Sequence, residues 1–420
     1  MKRKLFPIVV MAAVALVSAS CSSSKKTSND MVVSRNNMAE VDRGFLILSD
    51  AQRALTANNN DFALQLFGKI SGFDSKVVSP LSIDYLMGML ANGAEGATRD
   101  EILKAIKANG LSLDEVNNYY KVMMQKGSGS DESPVLSIAN YMAVNKNVRI
   151  EEGFSRTVAD NYMAGMESLD FSSSKAVRRI NEWCSKQTKG MVPRIIDSTD
   201  PSAVSYVMNA IYFNNTWVNQ FDADDTRQER FLGYTRDIKK VMMMHQEHKF
   251  RYMSNDKLAA VSLPYGNGGY DMTVILPNNG LSVSDVMKPM SSKDLAAIDK
   301  AMTDCLVDLK LPRFTTETEL PLNDVISELG APTMFMPGKA DFSNMCKQDM
   351  HVSKMLQKAK IEVNERGTKA AAVTAAIMTM SALQPEQPKR VSFHANRPFA
   401  YIITDRADGA ILFMGQFTGE

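Results

Sequence analysis

Along this chain the apolar positions change their period once, and the change separates helix from strand. Arg53 to Ile70 and Ile83 to Leu90 carry apolar residues three and four apart, the spacing of one helical face. Ser79-Pro80, at the head of "SPLSIDYLMGML", is an N-terminal helix signal. In Ala97-Thr98-Arg99-Asp100-Glu101 a capping box of Thr98 and Glu101 is expected to open a further helix. Ala176 to Lys189, with Asn181 and Trp183, predicts another amphipathic helix. Beyond Val204 the texture shortens to the β-branched and aromatic runs of strands: "VSYVMNAIYF", "AAVSLPY", "DMTVILP", "VDLKLPRF", "AKIEVN", "RVSFHANRPFAYIIT" and "AILFMGQF". "YGNGGYDM" is a hairpin turn without the spacing of a phosphate-binding glycine loop. Helices first and strands later predict an α+β domain, not alternating βαβ units.

One segment fits neither period. "NERGTKAAAVTAAIMTMSALQPEQPKR", Asn364 to Arg390, is alanine-rich, then apolar, then rich in Pro, Gln and Ser. As a strand it would place Thr368, Ala370, Ala372, Thr374, Ala376, Met378 and Met380 on one face, uncharged and mostly small. Lys369, Ala371, Val373, Ala375, Ile377 and Thr379 would take the other, and Gly367 would give the backbone a hinge at the base. The alternative is a surface helix, since Ala is the best helix former. Between Lys369 and Glu386 there is no charge, so the segment is expected to be buried at some time.

The N-terminus changes the picture of where the protein acts. Lys2, Arg3 and Lys4 precede an apolar run from Leu5 to Val17, and Ser18-Ala19-Ser20-Cys21 follows. This is a secretory signal and not a membrane span. A cysteine after small residues resembles a bacterial lipoprotein signal, so residues 1–20 are expected to be removed and Cys21 lipidated. Residues 21–43 are polar and aperiodic, a tether between lipid and domain. An exported lipoprotein of the cell envelope, on the periplasmic face or the cell surface, is the expectation. Losing three basic residues and no acid turns the formal charge of +1 into −2. No basic stripe remains, which argues against a nucleic-acid partner. Of 420 residues, 45% are hydrophobic and 23% charged, an ordinary globular balance. From Phe45 onward no Pro/Gly/Ser-rich boundary interrupts it, so 44–420 is taken as a single domain. Cys184, Cys305 and Cys346 are too widely spaced for a disulfide framework and are expected to be buried apolar residues. Most of the 29 methionines fall in apolar stretches, as gap-fillers.

A search for catalysis returns nothing. Of the four histidines, His245, His248, His351 and His394, none lies in a catalytic motif. His245 and His248 are three apart in a strand-like stretch and would face opposite ways, so they share no metal. Asp224-Asp225 is more simply solvated loop charge. No enzyme activity, metal or cofactor is expected.

At the hinge the residues match a family. "NERGTKAAAVTA" closely resembles the hinge of inhibitory serpins, Glu-x-Gly-Thr-x-Ala-Ala-x-x-Thr, with Glu365, Gly367, Thr368, Ala370, Ala371, Ala372 and Thr374 in place. "VVSPLSIDYLMGMLANGAEGATRDEI", "INEWCSKQTKGMVPRII", "NAIYFNNTWVNQFD", "LPY", "MTVILP", "LKLPRF", "ADFSNM" and "FHANRPFAYIITDRADGAILFMGQF" follow in serpin order, from about Phe45 to Glu420. Asn209, Phe213, Trp217 and Phe221 match the signature strand, and Trp217 belongs to the breach where the sheet opens. Ser79, Ser82 and Asn209 match the polar "shutter" beneath the sheet. Gln357 stands where many serpins have a shutter histidine, which leaves the pH behaviour of opening in question. Asn214-Asn215 stands where the signature usually has Lys-Gly, a turn change.

The resemblance implies a serpin fold, helices packed on a large mixed sheet, with residues 364–390 as hinge and reactive loop. It implies a suicide substrate: a protease attacks the loop, and the cut loop inserts as a new central strand before the acyl-enzyme is hydrolysed. Counting the family distance from Glu365 puts the cut at Ser381-Ala382, with Met380-Ser381 as the alternative. Counting back from Arg397-Pro398 would land near Gln387-Pro388, a poor bond for most proteases. The bait Ile377, Met378, Thr379, Met380 is apolar, which disfavours trypsin-like targets and suits elastase-, chymotrypsin-, subtilisin- or papain-like ones. The expected partners are a target protease, held covalently, and the membrane through Cys21, with the domain a monomer. A non-inhibitory serpin-fold binding lipoprotein is the alternative function.

Overall fold

The computed structural model describes residues 48–127, 136–235, 237–368 and 388–420. The expected signal peptide, tether and Cys21 lie outside them, as do the loop positions Ala370, Ala371, Ala372, Thr374, Ile377, Met378, Thr379, Met380, Ser381 and Ala382. Residues Phe45–Glu420 group into one compact unit.

In chain order the elements are α1 (Asp50–Ile70), β1 (Lys76–Val78), α2 (Pro80–Gly93), α3 (Gly96–Ala105), α4 (Leu113–Gly127), β2 (Leu136–Asn145), α5 (Glu152–Tyr162), β3 (Gly165–Leu169), α6 (Ser174–Gln187), β4 (Ser205–Phe213) and β5 (Asn215–Thr216). There follow β6 (Arg227–Leu232), β7 (Ile238–Ser254), β8 (Leu258–Tyr265), β9 (Tyr270–Pro277), α7 (Val283–Met287), α8 (Ser292–Ala301), β10 (Thr303–Pro312), β11 (Phe314–Pro321), α9 (Asn323–Glu328), β12 (Lys354–Asn364), β13 (Gly367–Thr368), β14 (Arg390–His394), β15 (Phe399–Asp405) and β16 (Ile411–Phe417).

Two sheets organise these strands. Nine strands form one, in the order β1-β16-β15-β9-β8-β7-β10-β14 with β6 on β7. Seven form the other, β3-β2-β4-β12-β13-β5 with β11 on β12. The second sheet positions the functional site, and side-chain parity assigns its faces. Val207, Ile211 and Phe213 of β4 join the main core with α1, α2 and α4, whereas Tyr206, Met208 and Ala210 face a smaller apolar layer. That layer is roofed by α6, whose Ala176, Ile180 and Cys184 recur every four residues as one buried stripe. Burying a side chain such as Ile180 contributes about 1.5–3 kcal/mol. Asn181 pins the chain after α6: its Nδ2 donates to Ile196 O at 2.8 Å and its Oδ1 accepts from the N–H of Ile195 at 2.8 Å.

The α+β class is as expected, and two local details are not. The capping box at Thr98 and Glu101 does not form; α3 starts at Gly96, and both side chains serve distant backbone. Thr98 Oγ1 accepts from Asp341 N at 2.9 Å, and Glu101 accepts from Thr333 N at 2.9 Å. Tertiary partners outcompete the local cap. The central strand β2 has no counterpart in the sequence reading, because residues such as Tyr141, Met142, Ala143 and Val144 are buried on both faces and show no alternation. Cys184, Cys305 and Cys346 are buried free thiols, as expected.

Candidate functional site

The site is the junction between β4 and β12. The two strands pair in parallel from Lys354 opposite Tyr206 to Lys360 opposite Tyr212. Above that they part, and the hinge enters the gap. Gly367 and Thr368, as β13, pair antiparallel with Asn364 and Val363 on one side and with Thr216 and Asn215 on the other. At the Asn214-Asn215 change, Asn214 connects β4 to β5, and Asn215 begins β5, whose register accepts Thr368.

Only glycine fits at position 367. Its φ is +141°, and a Cβ there would lie 2.3 Å from Asn215 O and 2.6 Å from Thr216 Cα. Thr368 is fully buried, and its Oγ1 meets the Tyr265 hydroxyl at 2.9 Å. Burial pushes the Tyr265 hydroxyl well above its ordinary range, so it stays neutral. Trp217 stacks on Tyr265 with ring centroids 4.1 Å apart and its Nε1 donates to Asn364 O at 2.9 Å. The breach tryptophan thus holds the top of β12 beside the entering hinge.

Below Gly367 the hinge is anchored through Glu365. Its Oε1 accepts from Thr226 Oγ1 at 2.7 Å and from Arg313 Nε at 3.1 Å, with Arg313 Nη2 also donating. Burial raises the Glu365 pKa, but the Arg313 and Thr226 bonds outweigh it and hold the carboxyl below the usual glutamate range. Its own carbonyl accepts from Phe221 N at 2.9 Å.

Where the strands remain closed, Gln357 of β12 lies opposite Asn209 of β4. Gln357 Nε2 donates to Asn209 Oδ1 at 3.0 Å and to Ser79 O at 2.9 Å, while its Oε1 accepts from Ser79 N at 2.9 Å. Ser79 Oγ donates to Ser82 Oγ at 3.1 Å, and Asn209 Nδ2 donates to Asn140 Oδ1 at 2.9 Å. All five residues are at most 1% exposed, so every one of these bonds is shielded from water. Gln357 meets these partners with a donor and an acceptor that do not titrate.

At its far end the loop returns as β14, an edge strand parallel to β10. There His245 Nε2 and His394 Nε2 meet the two oxygens of Asp308 at 2.8 and 3.0 Å. Burial raises the Asp308 pKa, but the two imidazoles outweigh it and hold the carboxyl below its usual range. His248 is exposed on β7, away from this cluster. Among the described residues no group of His, Cys, Asp and Glu is placed to hold a metal ion.

The structure therefore brings Ser79, Ser82, Asn209 and Gln357 together at one end of the slot and Glu365, Gly367, Thr368 and Trp217 at the other. Arg313, Thr226, Tyr265 and Asn140 complete the site and were not singled out from sequence. Each meets its partner from a distant part of the chain, 52 residues away for Arg313 and Glu365, so no local pattern marks it.

A family model described as Serpin (serine protease inhibitor) matches residues 57–419. An uncharacterized serpin-like protein of Thermococcus kodakarensis is 32% identical over 379 residues, covering 88% of this chain and 87% of the relative. The leukocyte elastase inhibitor of Homo sapiens is 31% identical over 380 residues, covering 87% and 99%. Among solved structures, the thermophilic serpin tengpin in its native state superposes with a TM-score of 0.79 at 28% identity, over 92% of this chain and 96% of that one. A family model matching residues 57–419 and relatives above 30% identical over most of the chain show that it belongs to the serpin family.

Proposed function

We propose that this protein is a suicide-substrate inhibitor of proteases, tethered to the cell envelope through a lipidated Cys21. One observation carries the reading: the registers of β13 on its two neighbours, extrapolated down β12 and along β4, agree at the closed junction. Val363 faces Thr368 and Asn364 faces Gly367. Extended down β12, the same register brings residue 374 opposite Gln357. On the other side Asn215 faces Thr368 and Thr216 faces Gly367, and extension along β4 brings residue 374 opposite Asn209. Gln357 and Asn209 already face each other, so the two registers agree.

An inserted strand in that register needs no bulge. Its inward side chains would be Ala370 between Ile361 and Phe213, Ala372 between Ala359 and Ile211, Thr374 between Gln357 and Asn209, and Ala376 between Met355 and Val207. Those neighbours are buried in the present structure, and only small side chains could join them without clash. Thr374, the one hydroxyl at shutter level, could accept from Gln357 and donate to Asn209 as their direct bond parts.

The chemistry is acyl transfer that stops halfway. The hydroxyl or thiol of the target adds to the loop carbonyl, the C–N bond breaks, and the new amine leaves with a proton. The ester or thioester that remains moves with the inserting strand. From Thr368 to Ser381 an extended strand spans roughly 40 Å, so the bound protease is carried along the sheet. Its active site is thereby displaced before water completes hydrolysis. The apolar bait from Ile377 to Met380 directs this against elastase-, chymotrypsin-, subtilisin- or papain-like enzymes, and the leukocyte elastase inhibitor among the relatives supports that class.

The test is incubation of the mature domain with neutrophil elastase, chymotrypsin, subtilisin and papain, followed by a denaturing gel. A covalent complex is expected, with mass spectrometry of the released peptide starting at Ala382 or Ser381. Cleavage without complex, and no rise in thermal stability after nicking, would support the non-inhibitory binding reading instead.

A further inference from the structure

We infer that Tyr162 is a latch on the opening of the sheet, a residue that sets how readily β4 leaves β12. The inference rests on the inhibitor reading above. Parting the strands divides the molecule along a seam. On one side, Gln357 stays with Ser79 at the head of α2. On the other, β4 carries β2 by an antiparallel ladder, β2 carries β3, and β3 follows α5 directly in the chain.

Tyr162, the last residue of α5, is bonded to both sides. Its carbonyl accepts from Asn140 Nδ2 at 3.1 Å, within the departing block. Its hydroxyl crosses the seam by accepting from Asn92 Nδ2 of α2 at 3.3 Å, and it also donates at 2.6 Å to Asn117 Oδ1 of α4, the helix that precedes β2 in the chain. Asn92 and Asn117 are themselves joined by two reciprocal amide bonds of 2.8 and 2.9 Å, a rigid receptor for that hydroxyl. The ring is fully buried. It reaches this receptor because α2 has a glycine beneath it: a Cβ on Gly88 would lie 2.8 Å from the Tyr162 hydroxyl and 2.8 Å from Tyr120 Cε2.

Phe154 and Val158 of α5 are also buried beside the seam, and just before α5 the Glu151 N–H donates to Met345 O at 2.9 Å. The apolar contacts can slide, because dispersion and hydrophobic burial are not directional, and the backbone bond lies at the other end of α5 from Tyr162. A hydrogen bond fails within less than an ångström of shift. The hydroxyl of Tyr162 therefore holds the closed state and contributes nothing once the block has moved. Through Asn140 and Asn209 it is continuous with the shutter, so the latch and the Gln357–Asn209 bond lie on one chain of buried hydrogen bonds.

The experiment compares Tyr162→Phe with the unaltered protein in two forms, intact and nicked in the loop by papain or elastase. Melting is followed at one scan rate, and the share of complex to cleaved product is read from a denaturing gel. Tyr162→Phe is expected to lower the midpoint of the intact form by roughly 2–4 °C, leave the nicked form unchanged, and shift the share toward complex. A merely structural hydroxyl would lower both forms alike. Equal losses, or no loss in the intact form, overturn the latch. Should Tyr162→Phe fail to fold, Asn92→Ala removes the α2 partner across the seam and is judged by the same two melts. If the unaltered protein gains no stability on nicking, the inhibitor reading fails and the latch with it; if it gains and the variant's losses are equal, the latch alone fails.

Discussion

Gln357 donates to Asn209 at 3.0 Å across the junction of β12 and β4, and the same amide closes both backbone groups of Ser79. One buried side chain thus closes the sheet and fixes the helix beneath it. Parting β12 from β4 would break the first relationship and could leave the second intact.

Gln357→Ala is expected to leave the Ser79 N–H and carbonyl and Asn209 Oδ1 without their partner. Each lost partner in a buried site costs about 1–3 kcal/mol, so the intact form should melt lower and lose inhibitory capacity faster on warm incubation. Gln357→His adds a titrating group. A buried imidazole has its pKa lowered, so that variant should lose stability as pH falls through about 6.5, where the unaltered shutter shows no such step. Thermal melts from neutral to mildly acidic pH check this; a flat profile for the His variant overturns it.

Thr368→Arg would force a guanidinium between β12 and β5, where Thr368 is fully buried against Tyr265. Insertion should stall at its first residue. The protein is then expected to be cut by its target without holding it, a change visible as cleaved band replacing complex. Undiminished complex would sink the hinge assignment.

Gly367→Ala places a methyl 2.3 Å from Asn215 O in a backbone conformation that favours glycine. Strain of about 1–3 kcal/mol is expected to expel β13 from the gap. Hydrogen exchange at Asn364 and Thr368 should rise, and the rate of complex formation should fall. Protection equal to that of the unaltered protein would contradict this account.

The Glu365–Arg313 anchor gives a pH signature. Glu365 has a folded pKa below its unfolded value, so its contribution is present above about 4.3 and is lost as pH falls through the lower folded value. The melting point of the intact form should drop more steeply on acidification below the usual glutamate range than that of Arg313→Ala, which lacks the pair. Parallel slopes would show that the anchor carries no net stability.

The hinge was legible because its constraint is local: glycine at 367 and small residues after it are chemical demands visible in a string. The strands after Val204 were legible for the same reason, since composition and alternation are properties of neighbours. β2 was hidden by being buried on both faces, and the box at Thr98 failed because distant backbone claimed both side chains. The reactive bond stays a count along the chain, since Lys369 to Gln387 lie outside the described residues.

By itself the sequence determined that a small, uncharged face follows Gly367, because side-chain size and parity are written one residue at a time. Tertiary structure alone decided where Gly367 and Thr368 sit, and what they meet. The gap between β12 and β5, the arginine on Glu365 and the tyrosine across the seam all join residues far apart in the chain. Hydrogen bonds of this kind form only between groups that folding has already brought within about 3 Å, and no local pattern encodes that distance.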